Sequence, residues 1–392
     1  MVNRLKRLWT RIAGTELERE NRRIFRNAKT AVRSVLRALR KKRHRVMILC
    51  YSFYGGGAEK VACWLGETLA EDKDTGVLLL CAEKKEKTYL TDNAIPQIVL
   101  PVFMGPKETV REQRTRFVAW LKKAARANAA VSFMFFMNQI NAASRGKTRV
   151  ICSERNNPAR REPEHMEEIE EIYGKADHVV FQTESVRGLF SDAVREHSTV
   201  IPNPVRAMGE RRAPRRRIVT VGRLNPQKNQ ALLLRAFSRF HEDHPEYTLS
   251  IYGEGDLLEE LQELARTLGI ENAVIFEGNV KDVHSQITDG EMFVLSSDFE
   301  GMSNALLECM AMGFPCISTA CDGSVELIRS GENGILTKIG DEEELYEAMT
   351  LLADNEELRE QLGRNAARTV RANHPEIIAG QWKQMLRDVE KQ

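Results

Sequence analysis

CYSFYGGGAEKV, residues 50–61, leads out of an apolar, strand-like run into three consecutive glycines and straight on into a helical pattern. Residues without a Cβ leave the main chain bare at the start of a helix, where free amides and the helix dipole suit an anion such as a phosphate. The pattern is neither a Rossmann GxGxxG nor a P-loop, because it lacks both the dispersed glycines and the GK[ST] ending. A glycine-rich turn between strand and helix also serves packing alone. Gly55, Gly56 and Gly57 therefore establish a strand-turn-helix unit before they establish a ligand.

Outward from this stretch the same unit recurs. From Arg45 onward, short apolar, β-branched runs alternate with helical stretches: VMILCYS, GVLLLCA, QIVLPV, AAVSFMF, RVICSE, HVVFQT and TVIPNPV. Runs of this kind read as buried parallel strands. An arginine-rich, proline-containing break, RAMGERRAPRRR at 206–217, interrupts the succession, which restarts as RIVTVG, TLSIYG, AVIFEG, MFVLS, PCIST and GILTKI. The sequence thus predicts an α/β fold with two facing, Rossmann-like, doubly wound parallel-sheet domains, 45–205 and 206–372. A helical extension over 1–44 precedes them, and a closing helix over 373–392 follows. A chain of 392 residues suits two such domains. Ligands of open α/β sheets bind beyond the carboxyl ends of the strands, so two facing sheets place one ligand between them.

The hydrophobic fraction of 42% and charged fraction of 29% are those of a soluble globular protein. No apolar run approaches the roughly 20 residues that a membrane span needs. The seven cysteines lie mostly inside apolar runs without paired metal spacing, which points to reduced, buried thiols in a cytosol and to no metal site. Asp72-Lys73-Asp74 has the DxD form of some metal-binding sites, but in EDKDTG it reads as a polar turn between a helix and a strand. The net charge of +2 hides a segregation: residues 1–45 carry 16 Lys or Arg against three Glu, a local +13, leaving −11 on the other 347. Charges interrupt this start throughout, which argues against a cleaved secretory signal. Leu5, Leu8, Trp9 and Ile12, then Phe25, Ala28, Val32, Val35, Leu36 and Leu39, recur at helical spacing among basic residues, as in two basic amphipathic helices. Such helices suit the headgroup layer of an anionic membrane. Packing on the main domain or on a partner, and contact with nucleic acid, are the alternatives; the membrane surface is the expectation, with no nucleic-acid partner.

The second series opens with VGRLNPQKNQALLLRAF, in which Arg223 and Lys228 stand on the loop after the strand. Two cations there can straddle a diphosphate, although a solvated surface pair would look the same in isolation. SSDFEGMSNALLECMAMGFP, 296–315, carries Glu300 and Glu308, with Ser303 or Asn304 placed to cap a short helix that Gly313 and Pro315 end. Helical rise separates the two glutamates by roughly 10 Å or more. A glycosidase acid and base stand only about 5 to 9.5 Å apart. They read instead as holding different parts of one extended ligand, with the amides of Gly301, Met302, Ser303, Asn304, Ala305 and Leu306 facing its phosphate.

With these residues the chain resembles the family 4 glycosyltransferases of GT-B fold, over about 46–375. GGGAE, GRLNPQKN and FEGMSNALLECMAMGFP occur in the family's order, and NPV, YGEGDLLEEL and DGSVELI look like family segments. The resemblance implies a nucleotide-sugar donor, expected to be a UDP-sugar, held by the second domain, with the acceptor held mainly by the first. Arg223 and Lys228 would grip the donor diphosphate, Glu308 the ribose hydroxyls and Glu300 the donor sugar. The Gly55–Gly57 loop would approach from the opposite side, where a side chain would stand in the donor's place. Transfer would proceed with retention, without a metal or other cofactor. Where many members place a His near the donor sugar, this chain has CSERNNP, with Glu154 or Arg155 at about that place. SERNNP resembles members that extend bacterial capsule, exopolysaccharide or undecaprenyl-linked glycans, which implies a lipid-linked glycan acceptor and a site of work on the inner face of the cell membrane. A soluble polyol or protein acceptor is the alternative within the class; a non-catalytic, nucleotide-sugar-binding scaffold is the alternative outside it.

Overall fold

A computed structural model of the chain describes residues 2–91, 95–161, 163–206, 211–280 and 282–391, with the side chains of 2–15 and 161 outside the description. The apolar runs form two parallel sheets. In the first, β1 (His44–Cys50), β2 (Thr75–Cys81), β3 (Gln97–Val99), β4 (Ala129–Phe133), β5 (Arg149–Ser153), β6 (His178–Phe181) and β7 (Ser198–Val200) lie in the order β3-β2-β1-β4-β5-β6-β7. In the second, β8 (Arg217–Val221), β9 (Thr248–Tyr252), β10 (Val274–Gly278), β11 (Met292–Leu295), β12 (Cys316–Thr319) and β13 (Ile335–Thr337) lie in the order β10-β9-β8-β11-β12-β13. Both orders reverse direction beside their first strand, and the loops at that switch point carry the candidate site. The fold is the expected pair of Rossmann-like domains. Part of the expected break between them, 207–210, lies outside the described residues.

Strand periodicity explains the uniformly apolar runs. Val46, Ile48 and Cys50 of β1 enter one core with Val61, Leu65 and Leu69 of the helix Gly57–Ala70, while Met47 and Leu49 enter another with Phe117, Val118 and Leu121 of the helix Lys107–Ala125. Each face of the sheet is covered, so neither can be polar. The seven cysteines are free and buried. Asp72 accepts bonds from the Asp74 amide (3.0 Å) and the Thr75 hydroxyl (2.8 Å), the geometry of a polar turn.

Two terminal elements join the first domain. The helix Pro375–Lys391 crosses back from the second domain and buries Ile378, Trp382, Met385, Leu386 and Val389 in the core that holds β1. At the other end lie the helices Val2–Ala31 and Arg33–Leu39. Val32, Leu36 and Leu39 are buried with Met47, Leu78 and Phe117, and Ile24, Phe25, Ala28 and Val35 pack against them. The Phe25 ring meets Phe117 edge-on at 5.6 Å, and Asn21 exchanges two hydrogen bonds of 2.9 Å with the Met104 main chain. This corrects the expectation that the second amphipathic stretch faces a membrane: its apolar stripe is taken up by the protein's own core. Leu5, Leu8, Trp9 and Ile12 lie outside the described side chains. Among the described residues no helix is long and apolar enough to cross a membrane.

Candidate active site

The loop after β8 is rigid for local reasons. Asn225 caps the short turn Pro226–Lys228 by accepting from the Lys228 amide (3.2 Å), and Asn229, at φ 44°, caps the helix Gln230–Asp243 through the Leu232 amide (3.2 Å). Two side-chain caps in succession fix the Lys228 backbone where it faces β11. Its ammonium pairs with Glu300, whose carboxylate also accepts from Ser297 Oγ (2.9 Å) and Gln227 Nε2 (3.4 Å). The side chains of Lys228 and Glu300 are 17% and 10% exposed, so the pair sits in a largely dry recess. A cation expected to grip a ligand directly here first holds a carboxylate in place.

Beyond Glu300 the chain turns into the helix Asn304–Ala311, capped by Ser303 Oγ at 3.4 Å from the Leu306 amide. A Cβ on Gly301 would stand 2.3 Å from Gln182 Oε1 and 2.8 Å from the Arg155 carbonyl oxygen, which is why glycine follows Glu300. Gln182 accepts from the Met302 amide (3.1 Å), and Asn203 of the NPV segment donates to the Met302 carbonyl (3.0 Å) and to Asn304 Oδ1 (2.7 Å). Two of the amides expected to face a phosphate, those of Met302 and Leu306, are thus occupied by the protein itself, and both side chains are buried in the core. Gly301, Ser303, Asn304 and Ala305 remain the positions from which the loop can meet an anion.

The glycines of the first domain face this wall. Arg223 Nε donates to the Gly55 carbonyl at 2.9 Å, and Nη2 to the same oxygen. Gly55 has φ +115°, a region that only glycine adopts without strain. A Cβ on Gly56 would lie 2.6 Å from Arg223 Nη2, and one on Gly57 would lie 2.9 Å from Asn304 Nδ2. The bare main chain therefore admits two side chains of the opposite domain. Glu308 sits beside this junction with both oxygens engaged, by Lys60 from the first domain and by His284 Nε2 at 2.9 Å. Burial pushes the Glu308 carboxyl up, but the His284 bond and the Lys60 charge outweigh it and hold the group below its ordinary value. Asn157 Nδ2 to Asp322 Oδ2 (2.6 Å) and the Ser185 amide to Glu326 Oε1 (2.7 Å) complete the seam between the domains.

Glu154 and Arg155 do not turn toward a donor sugar. Arg155 donates to Ser153 Oγ (2.8 Å) and the Ile201 carbonyl (3.0 Å), with its guanidinium 5.6 Å from the Phe133 ring and 5.3 Å from that of Trp382. Burial pushes its pKa down to about 9 against the favourable Glu154 charge. Glu154 accepts from Tyr173 Oη (2.6 Å) and from the amides of Arg155 (2.9 Å) and Asn156 (3.1 Å). Both side chains support the loop from inside, and what lies against Gly301 is the main chain of Arg155 and Asn156. Gln182, Lys60 and His284 carried no signal in the sequence, and Asn203 only the NPV segment.

Residues 206–369 match the family model described as glycosyl transferases group 1. The matched stretch is the second domain. The first curated relatives are matched over part of their length only, from 40% to 61%; an uncharacterized glycosyltransferase of Haemophilus influenzae is 28% identical over 54% of this chain and 61% of its own. A Campylobacter jejuni alpha-1,4-N-acetyl-D-galactosaminyltransferase, named for a GalNAc-GalNAc-diNAcBac-PP-undecaprenol, is 24% identical over 88% of this chain and 99% of its own. Among solved structures, the Anabaena protein HepE in complex with UDP and glucose superposes at a TM-score of 0.76, with 19% identity over 87% of this chain and 99% of its own. That likeness fixes the fold as GT-B, with the domains facing each other across the seam just described.

Proposed function

We propose that the protein is a retaining, metal-independent, family 4 glycosyltransferase that moves a hexose or N-acetylhexosamine from a UDP-sugar to a lipid-linked glycan in cell-surface polysaccharide synthesis. The observation that carries the reading is Arg223 reaching across the cleft to the Gly55 carbonyl, with the Lys228–Glu300 pair in the recess behind it. A diphosphate placed between them would meet two cations on one wall and bare main chain on the other. Arg223 and Lys228 would stabilise the charge that develops as the bond from the anomeric carbon to the β-phosphate oxygen breaks, and UDP would leave with the electron pair. The acceptor hydroxyl attacks from the face the leaving group vacates, and its proton passes to the departing phosphate oxygen. Glu300 stands where it can stabilise the sugar's developing positive charge; Glu308 would take the ribose hydroxyls.

The acceptor class is supported by the Campylobacter relative's name, and the nucleotide by the HepE title. Docking on the inner face of the cytoplasmic membrane would fall to the beginning of the first helix, since the stripe from Phe25 to Leu39 is buried. Arg19, Arg22, Arg23 and Arg26 are exposed along that helix, and Val102 and Met104, 78% and 53% exposed, stand beside it on the loop that Asn21 binds. Each basic residue near an anionic surface adds about 1 kcal/mol. The test is a transfer screen across nucleotide sugars, with membrane extract or soluble polyols as acceptors, for the full chain and for a chain lacking 2–15. Consumption of a UDP-sugar with extract, reduced by the truncation, is expected. A preference for guanosine- or adenosine-linked donors, or transfer to soluble acceptors alone, would reject the reading.

A further inference from the structure

The Glu308 carboxylate stands between an imidazole and an ammonium that come from different domains. His284 is its neighbour in the second domain, at 2.9 Å from one oxygen; Lys60 reaches the other oxygen from the first domain. Lys60 belongs to the first turn of the helix Gly57–Ala70, and its amide bonds the Gly56 carbonyl at 3.1 Å. The contact with Glu308 is therefore mechanically tied to the glycine turn: whatever brings Gly55 to Arg223 brings Lys60 to Glu308. An exposed ion pair would be worth about 0 to 1 kcal/mol and would need no purpose. Here the carboxylate is only 16% exposed and His284 only 10%, while Lys60, 44% exposed, closes the bracket from its outer side.

The bracket has a chemical consequence. An ionised carboxylate offers about four acceptor sites, two on each oxygen. With one site on each taken, by Lys60 and by His284, one on each remains, which is the arrangement that two neighbouring hydroxyls require. We propose that Lys60 is a positioning residue for the nucleoside half of the donor: it fixes the Glu308 carboxylate so that recognition of the vicinal ribose diol is completed only when the first domain has closed on the second. This rests on the reading of Glu308 as the ribose ligand. Lys60 touches neither the sugar nor the reacting bond in this scheme, so its loss should act on donor binding and leave the chemical step nearly intact.

The experiment measures binding of UDP and of 2′-deoxy-UDP by calorimetry, and KM and kcat for the donor, in the wild type and in the Lys60→Met and Lys60→Arg variants. The wild type should bind 2′-deoxy-UDP about tenfold more weakly than UDP, the cost of one hydrogen bond to a charged group. In Lys60→Met that ratio should fall to about threefold or less, with KM raised by a similar factor to the loss of UDP affinity and kcat within about twofold of normal. Lys60→Arg should restore the ratio. A wild type that shows no penalty for the missing hydroxyl would overturn the ribose reading, and this inference with it. A full wild-type penalty that persists unchanged in Lys60→Met, or a loss expressed in kcat with KM unaltered, would overturn the role of Lys60 alone.

Discussion

The two walls of the cleft are built differently. In the second domain the functional side chains hold one another: Lys228 on Glu300, Ser297 and Gln227 on the same carboxylate, Asn225 under Lys228, Ser303 capping the helix that bears Glu308. In the first domain the wall consists of glycine main chain and Lys60, and their partners there, Arg223, Asn304 and Glu308, all lie on the opposite side. Lys228 and Glu300 are held within the second domain, whereas the 301–304 segment is held by Gln182 and Asn203 and the glycine turn is met by Arg223 and Asn304, in each case across the seam. Substitutions in the second should therefore fall on the chemical step, and substitutions in the first on donor capture and closure.

The largest expected effect breaks the second wall. Glu300→Gln keeps the shape and a bond to Ser297 but removes the charge opposite Lys228, at the position proposed for the donor sugar. Loss of one preorganised electrostatic contact costs about 100 to 1,000-fold in kcat, while UDP affinity should change by less than about tenfold. Turnover within about threefold of the wild type would show that this wall does not carry the chemistry. Next comes the first wall. Gly56 has φ −145°, ψ 177°, an ordinary extended conformation, so alanine there strains no backbone. Its Cβ would instead press on Arg223 Nη2 and on Glu59 Oε2, 2.6 Å and 2.5 Å away, both ends of flexible side chains that can yield. Gly56→Ala should leave the melting temperature nearly unchanged and raise the donor KM by about tenfold, the size of one displaced charge-assisted bond. An unaltered KM would mean that Arg223 need not rest on the glycine turn.

The same contrast governs what the sequence could disclose. Every strand among the described residues was legible, because a buried parallel strand needs a short apolar, β-branched run set between turn residues. The Ser303 cap was legible because it is local; the pairing of Lys228 with Glu300 was not, because their loops follow β8 and β11, neighbours in the sheet but not in the chain. The first-domain side of the site was not. Lys60 is an ordinary helical lysine until a carboxylate 248 residues away is placed beside it. The terminal helices failed in a related way. An apolar stripe such as Phe25 to Leu39 shows that a helix must be covered but not by what, and a membrane and the protein's own sheet satisfy it equally. Arg155 misled for the opposite reason: a guanidinium is expected at a surface or a ligand, and here its burial is made tolerable by bonds to Ser153 and the Ile201 carbonyl, the Glu154 charge and the rings of Phe133 and Trp382.

The smallest effect sharpens the comparison at an ion pair that crosses the seam, Lys60 to Glu308. Glu308 titrates below its ordinary carboxyl value because His284 and Lys60 favour the anion more than burial disfavours it. In the unfolded chain the carboxyl has its ordinary value of about 4.3, so between that and the lowered value the unfolded state binds the extra proton. Stability from this group is then fully present above about pH 4.3, and is lost as the pH falls through the lowered value. Glu308→Gln cannot titrate, so the gap in melting temperature between wild type and variant should narrow as the pH falls below about 4.3. Because the Lys60 charge arrives from the first domain, Lys60→Met should remove part of that narrowing without touching the His284 part. If the gap tracks pH identically with Lys60 present or absent, the two walls are not electrostatically joined at Glu308, and the charged contact between them is left to Arg223 on the Gly55 carbonyl.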